Sequence, residues 1–91
     1  MNIKPGDKVI IKTYREVVNE YPDKNWYENF FIYNANKKRK VLKIDERMGI
    51  VSCMVMPPWD GYPKTEKTLG VDIRAVKKIS QLELDDNLFE I

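Results

Sequence analysis

Near its start the chain alternates between wet and apolar positions. Val9 and Ile11 interleave with Lys8, Ile10 and Lys12, which predicts a half-buried first strand. The turn before it is written in Pro5-Gly6-Asp7: proline presets φ, and glycine takes positive φ without steric cost. Such an opener suits a small, strongly bent β-barrel. The period then changes. Thr13-Tyr14-Arg15-Glu16 has the form of a capping box, and Tyr14, Val17, Val18 and Tyr21 fall on one helical face that Pro22 ends. A second short helix is expected with Asn25 as its cap, Glu28 three residues on, and Trp26, Phe30 and Tyr33 as its stripe. Asn34-Ala35-Asn36 marks its exit.

Beyond this insert the period of two returns. Val41 to Asp45 predicts a second strand, and Glu46-Arg47-Met48-Gly49 closes a hairpin onto Ile50 to Met56. In that third strand both faces are largely apolar, so it is expected at the centre, wrapped on both sides. Pro57-Pro58 ends it, since neither donates to a ladder. Residues 59–68 read as a surface loop. Leu69 to Ile73 resumes a strand, Arg74-Ala75 makes a tight turn, and Val76 to Ile79 closes the sheet. The expected architecture is mainly β, a barrel of about five strands with one or two short helices between strands 1 and 2. One domain over 1–80 carries the helical insert at 13–36, and an acidic tail follows at 81–91.

Composition narrows the chemistry. At 91 residues, 43% apolar and 33% charged, the chain has the make-up of one folded domain. No apolar run approaches the roughly 20 residues of a membrane span, and the first residues do not form a signal peptide. One cysteine and no histidine exclude zinc sites, Ser-His-Asp triads and Cys-His dyads built from this chain, and fit a cytoplasmic setting. The four glycines are scattered, so no phosphate loop forms. Adjacent carboxylates such as Asp45-Glu46 and Asp85-Asp86 face opposite sides of a strand. Enzyme chemistry is not expected, and no cofactor is implied. The net charge of +2 conceals an uneven spread: sixteen basic residues stand against ten acidic ones in 1–80, and the last eleven residues are purely acidic.

Three features carry candidate binding chemistry. Lys37, Lys38, Arg39 and Lys40 read either as a phosphate clamp or as a solvated strand entrance. Five aromatics lie between Trp26 and Tyr33; Trp26 and Phe30 are assigned to packing, and Tyr27 and Phe31 to a sticky surface. The proline-stiffened loop presents Trp59, Tyr62 and Lys64, either as interface anchors or as a cover over the barrel end.

The Lys4-Pro5-Gly6-Asp7-Lys8-Val9 opener, the hairpin through Gly49 and the closing Val76-Lys77-Lys78-Ile79 together resemble small SH3-like barrel proteins of bacteriophages and bacteria. Lys40-Val41-Leu42-Lys43-Ile44 stands where such proteins carry the strand after their helical insert. The resemblance spans about residues 3–80. The long, doubly capped insert and the Pro-Pro-Trp loop depart from it. It implies a non-catalytic, phage-type protein in the host cytoplasm that docks on or sequesters a host factor. That factor is a host enzyme, a defence complex or a nucleotide signal, bound through an aromatic and basic face. The alternative is a nucleic-acid-binding barrel that contacts phosphates through Lys37 to Lys40. Self-association through an open strand edge is a third possibility, and no membrane partner is expected.

Overall fold

A computed structural model describes residues 3–79. The acidic tail expected over 81–91 lies outside them. Among these residues six strands form two three-stranded antiparallel sheets, with two short helices between the first two strands. The first sheet has the order β2-β1-β6, from β1 (Lys8–Ile11), β2 (Lys38–Lys40) and β6 (Val76–Lys78). The second has the order β3-β4-β5, from β3 (Lys43–Asp45), β4 (Ile50–Val55) and β5 (Lys67–Asp72). Helices α1 (Tyr14–Glu20) and α2 (Glu28–Asn34) form the insert.

The expected opening turn is present. The Asp7 amide donates to the Lys4 carbonyl at 3.1 Å, the Lys4 amide donates back to the Asp7 carboxylate at 3.0 Å, and Gly6 has φ +94°. Proline followed by a positive-φ glycine is the type II pattern. The capping box also forms: the Glu16 amide donates to Thr13 Oγ1 at 3.1 Å, and the Thr13 amide donates to Glu16 Oε1 at 2.9 Å. The tight turn at Arg74-Ala75 is a 3₁₀ turn over Ile73–Ala75, which leads into β6.

Four expectations need correction. The second strand is not the single run 41–45, and the described residues hold six strands. The ribbon over 38–45 bends at Val41-Leu42 because its hydrogen bonds change owner there: the Val41 amide donates to Asp7, and the Leu42 amide donates to Ser52. One stretch of chain therefore serves both sheets, and the described residues form two sheets without a closed five-stranded barrel. β4 is central in its sheet, but only Val51, Cys53 and Val55 are buried. Its opposite face leaves Met54 exposed, so it is not wrapped on both sides.

The other two concern α2. Asn25 does not cap it; the helix begins at Glu28 behind Tyr27, with no side-chain cap. The Trp26 indole N–H donates to the Tyr21 carbonyl at 3.1 Å and holds that stretch in a loop, which delays the helix. The buried face of α2 is also rotated from the expected stripe. Phe31 is only 4% exposed and Asn34 is fully buried, whereas Ile32 is 67% exposed. Phe31 is therefore a core residue and not the exposed surface aromatic that its position suggested.

The core unites the inward faces of both sheets. Val9, Ile11, Val41, Val51, Cys53, Val55, Val71 and Val76 pack there with Val17 of α1 and Phe31 of α2. Among the described residues Lys12 and Asn34 are the buried polar ones; Asn34 is fully buried, and its partners explain it. Its amide nitrogen donates to the Met56 carbonyl at 2.9 Å and to the Phe30 carbonyl at 3.0 Å; its oxygen accepts from the Met56 amide at 2.8 Å. Asn34 thus does for Met56 what a neighbouring strand would do, and it fastens α2 to the end of β4.

Asn34→Leu leaves both Met56 backbone groups without partners, at about 1–3 kcal/mol each. Asn34→Asp keeps an acceptor but loses the donor and buries charge. Urea denaturation is expected to show a loss of about 2–4 kcal/mol for each variant. A loss below about 0.5 kcal/mol would show that Asn34 is a passive occupant.

Candidate functional site

Fastening α2 to the end of β4 brings three segments to one side of the molecule: the stretch that enters α2, the Pro57-Pro58-Trp59 corner and β5. Between them lies a groove of about 420 Å³. Trp26, Tyr27 and Phe30 supply one part of its lining, Pro58 and Trp59 another, and Leu69 to Asp72 a third, with Phe31 and Ala75 beneath. The volume falls in the range of sites that take a small molecule or one or two side chains of a partner.

Contacts within the chain link the walls to one another. The Tyr27 hydroxyl donates to the Pro58 carbonyl at 3.4 Å, which links the α2 entrance to the proline corner. Trp26 meets Phe31 edge to face at 6.0 Å, and Phe30 meets Phe31 in the same way at 5.2 Å. Lys24 lies 5.0 Å above the Trp26 ring, and the Arg74 guanidinium lies 5.7 Å from it and 5.4 Å from the Tyr21 ring. Trp59 and Tyr62 lean together at 5.2 Å. Even so, Tyr27 is 51% exposed and Trp59 41% exposed.

Asp72 organises the polar end. Its carboxylate accepts from Arg74 Nη2 at 2.8 Å, from Arg74 Nε at 3.1 Å and from the Arg74 amide at 2.9 Å, and Lys24 Nζ lies 3.5 Å away. Burial works against the charge. The Arg74 hydrogen bonds and the Arg74 and Lys24 charges outweigh it, and the Asp72 carboxyl titrates below its ordinary value. The cluster can accept or donate hydrogen bonds at the groove's rim. Cys53 is buried in the core, and burial pushes its thiol up in spite of the nearby Arg39 charge. Among the described residues no three His, Cys, Asp or Glu side chains converge as metal ligands.

The single aromatic and basic face expected from the sequence divides in two. Tyr27, Phe31 and Trp59 come together at the groove, Phe31 as its buried floor. Tyr62 and Lys64 are held just outside it, Tyr62 against Trp59 and Lys64 4.4 Å above the Tyr33 ring. Lys37, Lys38, Arg39 and Lys40 do not line it. Arg39 turns away from its lysine neighbours to pair with Glu66, which ties β2 to the loop that follows Trp59. Sequence reading did not single out Tyr21, Lys24, Asp72 or Arg74. The one local signal was Asp72 two residues before Arg74 at a strand end, where an Asp caps a turn.

The pH response follows from Asp72. Its folded-state value is lowered, so its contribution is present above its unfolded value and is lost as pH falls through the folded one. Asp72→Asn is expected to lower stability near about pH 7 and to flatten the fall in stability on acidification, followed by tryptophan fluorescence. An acid limb as steep as in the unaltered protein would contradict this.

No family model, curated protein or solved structure matches the chain.

Proposed function

We propose that this chain is a non-catalytic binding protein that docks on a partner protein through the aromatic groove. One observation carries the reading: exposed Trp59 and Tyr27 flank an apolar cleft whose only charged lining groups among the described residues are Lys24 and Asp72. Interfaces draw most of their affinity from a few aromatic anchors, and anchors already held in place lose little entropy on binding. The Asp72-Arg74-Lys24 cluster supplies the polar rim that orients a partner's main chain.

The SH3-like resemblance supports the same reading. Taking the bent ribbon 38–45 as one strand leaves five, and the 3₁₀ turn before β6 suits a small bent barrel. We therefore read the fold as SH3-like and the partner as a host protein of a phage-type system, met in the cytoplasm.

Tagged protein recovered from bacterial lysate is expected to carry a stoichiometric partner that survives nuclease and moderate salt. Trp59→Ala is expected to weaken that complex at least tenfold, in line with a hot spot of about 2 kcal/mol, while the thermal midpoint changes little. Retention of the partner at full affinity by Trp59→Ala and by Tyr27→Ala would refute the groove as the docking site.

A further inference from the structure

The ladder of the first sheet assembles a second surface that no single stretch of sequence displays. Lys8 of β1 lies directly opposite Lys40 of β2, and Ile10 lies opposite both Lys38 of β2 and Lys77 of β6. Directly opposed residues share a face, as do residues two apart on one strand. Lys8, Lys38, Lys40 and Lys77 therefore stand around Ile10 on one outward face, contributed by three strands. Adjacent strands are about 4.8 Å apart, and alternate residues on a strand roughly 7 Å apart.

Like charges placed directly opposite each other destabilise a sheet. Among the described residues neither Lys8 nor Lys40 has an acidic partner. Lys77 reaches Glu16 at 3.6 Å, but both side chains are about half exposed, where such pairs hold weakly. Arg39 pairs with Glu66, Lys78 pairs with Asp7 at 3.4 Å, and Lys12, which follows β1, pairs with Glu20 at 3.0 Å.

We propose that this outward face of the first sheet binds the phosphodiester backbone of a nucleic acid without reading its sequence. Ammonium groups are compact point charges that suit phosphate oxygens from many directions, whereas planar recognition of carboxylates favours arginine. Across the three strands the face offers lysines and Ile10, with no aromatic or arginine anchor of the kind a protein interface relies on. An evenly spaced anion that needs no apolar pocket matches it. Lysine contacts of this kind position a backbone and leave the bases unread. None of the four lysines lines the aromatic groove, so the surface is independent of the docking site proposed above.

Fluorescence anisotropy with a labelled duplex of mixed sequence, about 20 base pairs long, tests this from about 50 to about 200 mM salt. Four phosphate contacts predict a log–log salt slope of about −3.6 for duplex and a shallower one, about −2.8, for a single strand. Lys8→Gln with Lys40→Gln is expected to reduce the slope by about 2 and to weaken binding at low salt at least tenfold. Arg47→Gln, in the β3–β4 turn, with Lys67→Gln, in β5, removes the same charge away from this face and is expected to leave the slope unchanged. Absence of duplex binding at low salt would overturn the proposal, as would equal losses in the two double variants. Poly-glutamate binding as tight as duplex binding would also overturn it, and would assign the face to an acidic protein. All of these positions are exposed, and matched thermal midpoints would confirm intact folds.

Discussion

The arrangement of this molecule depends on one buried amide. Asn34 satisfies both backbone groups of Met56 and, through Phe30, the last turn of its own helix. Without it, β4 would end in unpaired polar groups beside a dry core, a costly state for any backbone. With it, the helical insert closes the end of the second sheet. The same contact fixes where Pro57, Pro58 and Trp59 leave the sheet and how they face Trp26 and Tyr27. The groove is thus positioned by a core hydrogen-bond set, although its aromatic walls are partly exposed. Aromatic surface held in this way is poorly explained as packing alone, and packing was the competing reading for Trp59.

Charge is divided by the period of the strands. A run of four cations in sequence has no single direction once its residues enter a strand. Lys38 and Lys40 go outward, while Arg39 goes the other way and ties β2 to Glu66. That division gives the cations two unlike roles. Arg39 helps to place the loop beyond Trp59, and the outward lysines join Lys8 and Lys77 from distant parts of the chain. The loop does not rest on the ion pair alone, since exposed pairs contribute little. Trp59 against Tyr62 and Lys64 over Tyr33 add contacts along its length.

Most local structure was legible from residues. Proline before a positive-φ glycine, Thr13 with Glu16, and the alternation of Val51, Cys53 and Val55 each state a conformation in a few positions. The errors came where a distant partner decided the outcome. Nothing near Val41-Leu42 announces that the ribbon changes sheets, because the change depends on Asp7 and Ser52 as alternative acceptors. The stripe of α2 was misread because an asparagine takes a core position that a count of apolar residues assigns elsewhere. Tyr27 and Trp59 were identifiable as site residues from aromatic type and proline context. Lys24, Asp72 and Arg74 were not, since their meaning comes from contacts with Tyr21 and Trp26 that no sequence spacing reveals.

The central claim is that the Asn34–Met56 contact is as firm as the sheet it extends. Native-state hydrogen exchange measures this directly at the Met56 amide. This amide is expected to exchange only through global unfolding, with the same free energy as the amides of Val51 and Cys53 in β4. Exchange several kcal/mol easier, at the level of exposed loop amides, would mean that the end of β4 opens on its own. The groove would then lack the fixed wall on which its proposed function rests.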